Sequence, residues 1–128
     1  MSNLRSPLSR ARGLGSAKDG VHHFWVQRLS AVALVPLALW FVFSVAQLSQ
    51  FGTGYTAVQH WASAPSVAVT LALFLGTALY HSALGIQVVI EDYVHGEAAK
   101  LTMLVLSKFI HVIVAVAGIF AVLKVALA

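Results

Sequence analysis

The chain has 128 residues, 59% of them hydrophobic and 9% charged, with a net charge of +4. Soluble domains carry about 25% charged residues, so the composition excludes an ordinary water-soluble globule and makes lipid the solvent. The absence of cysteine excludes a disulfide framework, a thiolate iron–sulfur site and covalent c-type haem attachment on this chain.

Residues 1–20, MSNLRSPLSRARGLGSAKDG, hold Arg5, Arg10, Arg12 and Lys18 against a single acid, Asp19. Pro7, Gly13, Gly15 and Gly20 break any sustained periodicity, so this stretch reads as a polar arm. No folded domain presents its charges to a nucleic acid, and none is expected as a partner. Membrane topology explains them better. Residues 49–65 contain no Lys or Arg, and basic residues stay on the cytoplasmic side. The N-terminus and the 91–100 segment are therefore expected inside and the C-terminus outside. An Arg- and Ser-rich start also resembles a transit peptide. It is read here as a retained cytoplasmic segment, which favours a bacterial cytoplasmic membrane over the mitochondrial inner membrane.

Residues 21–128 read as one unit with three spans, since a crossing helix needs about 20 apolar residues. VHHFWVQR (21–28) lies at the water–lipid boundary, where Trp25 is typical. The first span is 29–48, with Pro36 expected to kink it. Residues 49–65, SQFGTGYTAVQHWASAP, read as an outer loop with turn signals at Gly52 and Gly54 and interfacial Tyr55 and Trp61. The second span is 66–90. EDYVHGEAAK (91–100) reads as a short inner loop, with Gly96 as a helix stop. The third span, 101–127, qualifies if Lys108 and Lys124 snorkel toward opposite surfaces. The fold class is an all-α membrane protein.

The second span carries the chemistry. His81 lies nine residues before Ile90, well below the inner surface. Gly85, Val88 and Asp92 follow at four, seven and eleven residues. Eleven helical steps return to within roughly 20° of the start and descend about 16 Å. One stripe therefore carries an imidazole inside the membrane and a carboxylate at its edge, and Gly85 opens the stripe to a flat ligand or a neighbouring helix. Intramembrane ionisable residues are functional candidates by default, so His81 is a candidate metal ligand. An interhelical hydrogen bond to a Ser, Thr or carbonyl explains it equally well.

Glu91 and Asp92 end this helix, where the macrodipole disfavours acids by about 0.3–1 kcal/mol each. Arg28 begins the first span on the same inner side, within reach of Asp92. Asp92 with Tyr93 suits a ligand that has carbonyl oxygens and an apolar tail, such as a quinone. Glu91 and Glu97 read as solvated. His111 lies ten residues past Leu101, at the depth of His81, so a bis-histidine haem within this chain is allowed; a packed polar residue is the preferred reading. His22, His23, His60 and His95 fall at boundaries or in loops.

GVHHFWVQRLSAVAL (20–34) and HSALGIQVVIEDYVH (81–95) resemble the smaller hydrophobic membrane-anchor subunits of succinate dehydrogenase. The shared pattern is His22 with Arg28, then His81, Gly85, Asp92 and Tyr93. The resemblance implies that the three spans pack with a homologous cytochrome b anchor subunit into a larger bundle. It implies that His81 is an axial ligand of haem b shared with that subunit, with Arg28 and His22 near the haem propionates and Gly85 beside the haem. Tyr93 would hydrogen-bond a quinone carbonyl, with Asp92 supporting it. The chain would have no activity alone. It would hold an iron–sulfur subunit and a flavoprotein at the cytoplasmic face, with FAD and the clusters on those partners, and serve electron transfer from succinate to ubiquinone. The alternatives are a purely structural anchor, or a self-contained b-type cytochrome using His81 and His111.

Overall fold

The structure is a computed structural model that describes residues 17–52 and 54–127. The arm expected over residues 1–20 lies mostly outside the described residues. Among the latter there are four helices and no strands: α1 (Ala17–Phe51), α2 (Tyr55–Ser63), α3 (Pro65–Tyr93) and α4 (Glu97–Leu127). Three of them, α1, α3 and α4, are long and apolar enough to cross a membrane.

Each long helix extends past the span expected from hydropathy. α1 begins at Ala17 and runs through Pro36 without interruption. Its 35 residues at about 1.5 Å each give roughly 52 Å, against a hydrocarbon core of about 30 Å. Apolar runs mark the lipid-exposed length, whereas helical hydrogen bonding continues into the headgroup zone.

The outer loop expected at 49–65 is not a plain loop. α1 stops at Phe51, and Gly52 has φ 121°, a left-handed conformation that favours glycine. α2 then forms over Tyr55–Ser63. Its Trp61 stacks on Trp40 of α1, with ring centroids 6.5 Å apart and planes 18° from parallel. Trp61 is thus held by a tertiary contact as well as by the interface, while Tyr55 remains exposed. Ala64 is extended, as a residue preceding proline prefers, and Pro65 opens α3 at its first turn.

α3 is the central helix, packing along both α4 and α1, while α2 lies across one end of the bundle against all three. Phe74 of α3 stacks on Phe41 of α1 at 5.1 Å. On the other side, Gly118 of α4 lets the Leu75 side chain approach its backbone; a Cβ there would overlap Leu75. Small residues at such contacts let membrane helices come close.

Little of this chain is buried within itself. Among the described residues only Ala68, Ile90 and Ser30 are buried. α4 buries none of its own; Phe109, Ile113, Val116 and Phe120 are each about two-thirds exposed. In lipid such surface carries no aqueous penalty, and it is available to other helices.

Candidate functional site

His81 sits on α3 and faces Ser30 of α1. Its Nδ1 is 2.9 Å from Ser30 Oγ, and the same Oγ is 3.0 Å from the carbonyl oxygen of Gln27. A serine has one proton to donate, and a carbonyl only accepts. Both contacts are hydrogen bonds if Ser30 donates to Gln27 and His81 Nδ1–H donates to Ser30. In the neutral imidazole that arrangement leaves Nε2 as the nitrogen without a proton, and no hydrogen-bond partner for it is found among the described residues. The interhelical bond weighed for His81 is therefore present, and it occupies one ring nitrogen only.

Gly85 follows on the stripe expected from the sequence. A Cβ built there meets nothing within 4 Å, so the chain's own packing does not explain the glycine. Asp92 and Tyr93 close the helix at its surface, with Tyr93 76% exposed and its hydroxyl free to meet another group.

Among the described residues Arg28, though within reach by depth, forms no ion pair with Asp92. The Arg28 guanidinium lies 5.0 Å from the centre of the Phe24 ring on its own helix, a cation–π contact one turn away. The helix end is satisfied differently. Lys100 Nζ donates to the backbone carbonyl of Glu91 at 2.8 Å, and Gln87 Nε2 donates to the Glu91 carboxylate at 2.8 Å. A cation at the last turn of a helix meets the negative end of its dipole. Glu91, expected to be merely solvated, is part of this junction. The connection is also tighter than a 91–100 loop: only Val94, His95 and Gly96 separate α3 from α4. Gly96 accepts the first bond of α4, from Lys100 N–H at 2.8 Å, so it starts a helix rather than stopping one.

His22 lines a cavity of about 480 Å³ between the start of α1 and α3, with His23, Tyr80, Leu84 and Glu91 among its walls. Among the described residues the Nε2 atom of His23 is buried without a hydrogen-bond partner. A second cavity of about 520 Å³ runs between α3 and α4, where Lys108 and His111 meet Tyr80 and Gln87.

His111 is engaged at both nitrogens. Nδ1 donates to the Ser107 carbonyl at 2.8 Å, which leaves Nε2 as an acceptor for Ser82 Oγ at 3.3 Å. This puts His111 level with residue 82, at the depth expected for it, but as a packed polar residue bridging α4 to α3. Among the described residues no group of three or more His, Cys, Asp or Glu side chains could hold a metal ion.

A match to a family model decides what kind of protein this is: residues 2–119 match the succinate dehydrogenase/fumarate reductase transmembrane subunit. The chain belongs to this family. A succinate dehydrogenase hydrophobic membrane anchor subunit of Rickettsia bellii is 32% identical over 94% of either chain. One from Paracoccus denitrificans is 34% identical over 74% of this chain and 72% of its own. A succinate dehydrogenase membrane anchor subunit of Reclinomonas americana is 31% identical over 73% of this chain and 78% of its own. No solved structure gives a significant match.

As a member of this transmembrane-subunit family the chain is a multi-pass membrane protein. Its three long helices meet that description. Sequence reasoning named His81 and the Asp92–Tyr93 end but missed Ser30, Ser82 and Lys100. Ser30 stands two residues after Arg28 and Lys100 nine after Glu91. Neither spacing signals a contact before the helices are docked.

Proposed function

We propose that this chain anchors the soluble subunits of succinate dehydrogenase at the cytoplasmic face, supplies one axial ligand to haem b, and completes a quinone-reduction site with its partners. The observation that carries this reading is His81. Its Nδ1–H is bound to Ser30, which leaves the Nε2 lone pair free inside a membrane-spanning helix. A single imidazole with one free nitrogen fits a haem whose other ligand comes from a second chain. The open space at Gly85 fits a flat group beside that imidazole. His111 does not fit as the second ligand, because both its nitrogens are already engaged.

Haem b, when bound, supplies a one-electron reservoir near the quinone. The remaining chemistry belongs to side chains. Tyr93 donates its hydroxyl proton in a hydrogen bond to a quinone carbonyl, orienting and polarising it. Asp92, next in sequence, orients Tyr93 and relays protons from the cytoplasmic side. Ubiquinone is the expected acceptor for an aerobic succinate-oxidising enzyme. Arg28 and His22, two and eight residues before Ser30, are the groups proposed near the haem propionates; Arg28 would leave Phe24 to reach them.

The test is purification from membranes. A flavoprotein, an iron–sulfur protein and a second hydrophobic chain should accompany this one, with a b-type absorption spectrum. His81→Leu should abolish or displace that spectrum. An unchanged spectrum removes His81 as a ligand. The Ser30–His81 bond by itself favours a second reading, a purely structural anchor, and a complex with no haem absorbance would establish it.

A further inference from the structure

We propose that Ser30 is a positioning residue for His81, setting the tautomer and electron-donating strength of the ligating imidazole; the inference rests on the reading of His81 as a haem ligand. Ser30 is 8% exposed, the only buried polar side chain among the described residues. It lies on a different helix from His81, so its contact pins the ring across the α1–α3 interface. The two short contacts of its Oγ, 3.0 Å to Gln27 O and 2.9 Å to His81 Nδ1, form a relay. The proton of Ser30 goes to the carbonyl, and the proton of Nδ1 goes to Ser30. Donation to the carbonyl increases negative charge on Oγ and makes it a better acceptor.

A ligating imidazole whose other N–H is hydrogen-bonded is held in one tautomer and orientation and becomes more basic. Greater basicity favours the more highly charged, oxidised iron. Loss of the Ser30 hydroxyl therefore removes a preference for the oxidised state and frees the ring to rotate. An isolated serine packed for size would do neither.

The experiment compares Ser30→Ala and Ser30→Thr in the intact, purified complex. Its readouts are the haem midpoint potential and the low-spin signals of the oxidised haem. Removing such a partner changes metal-site equilibria by roughly tenfold or more; a tenfold change in the oxidised-to-reduced ratio is about 59 mV for one electron. Ser30→Ala should raise the potential by about that amount and broaden or shift the low-spin signal. Ser30→Thr, which keeps the hydroxyl, should restore both. A Ser30→Ala complex with the parent potential and signal overturns the proposal. If Ser30→Ala loses the haem outright, Ser30→Thr decides: parent values support the relay, and displaced values or a lost haem overturn it. The underlying haem reading fails separately, if His81→Leu leaves the haem spectrum intact.

Discussion

Lys100 Nζ lies 2.8 Å from the main-chain carbonyl of Glu91, so the first turn of α4 closes the last turn of α3. This one bond explains how a helix with no basic residue in its last turn tolerates two acids there. It also fixes the short connection that brings Asp92 and Tyr93 to the surface of the bundle.

Replacing Lys100 by Met should loosen that junction. Hydrogen bonds from charged donors contribute about 1.5–3 kcal/mol, less where solvent competes. The contact is exposed, so a loss near or below the lower figure is expected. Thermal denaturation of the detergent-solubilised protein should show a lower midpoint. An unchanged midpoint would mean that water caps Glu91 equally well.

Gly118 of α4 and Gly85 of α3 should behave differently. Gly118→Leu forces a side chain into Leu75, and overpacking costs about 1–3 kcal/mol, so assembly or thermal stability should suffer. Gly85→Ala meets open space within this chain and should leave the chain's own fold intact. If a flat ligand or partner helix fills that space, Gly85→Ala should perturb the haem spectrum or its retention. A complex with parent stability and parent spectrum would leave Gly85 without a role.

His111 should be a helix-pairing residue. Interhelical hydrogen bonds in membranes average about 0.6 kcal/mol and reach about 1.7. His111→Phe and Ser82→Ala should each lower thermal stability by amounts in that range, and the double variant should lose less than the sum. The haem spectrum should stay at its parent position in all three. Loss of haem on His111→Phe alone would restore the bis-histidine alternative.

Tyr93→Phe removes one hydroxyl from a side chain that is 76% exposed and makes no hydrogen bond among the described residues. Folding should therefore be unaffected. Electron transfer from succinate to ubiquinone should drop, while succinate oxidation with an artificial acceptor at the soluble subunits should be spared. An equal fall in both activities would assign Tyr93 a structural part.

Composition and periodicity alone determined that this is a three-span membrane chain, and local spacing placed His81, Gly85 and Asp92 on one helical stripe. Both are short-range properties: hydropathy is summed over neighbours, and helical phase is set by a fixed rise and turn. Tertiary structure decided which groups meet across helices. It joined His81 to Ser30, fifty-one residues earlier, and formed no such contact between Arg28, which stays over Phe24 of its own helix, and Asp92. It gave the end of α3 to Lys100 and the Nε2 atom of His111 to Ser82. These contacts depend on helix rotation and docking depth, which in lipid follow from close packing at residues such as Gly118 and Ala68. No local pattern encodes them, because serine and lysine at those positions look no different from any others until the helices come together.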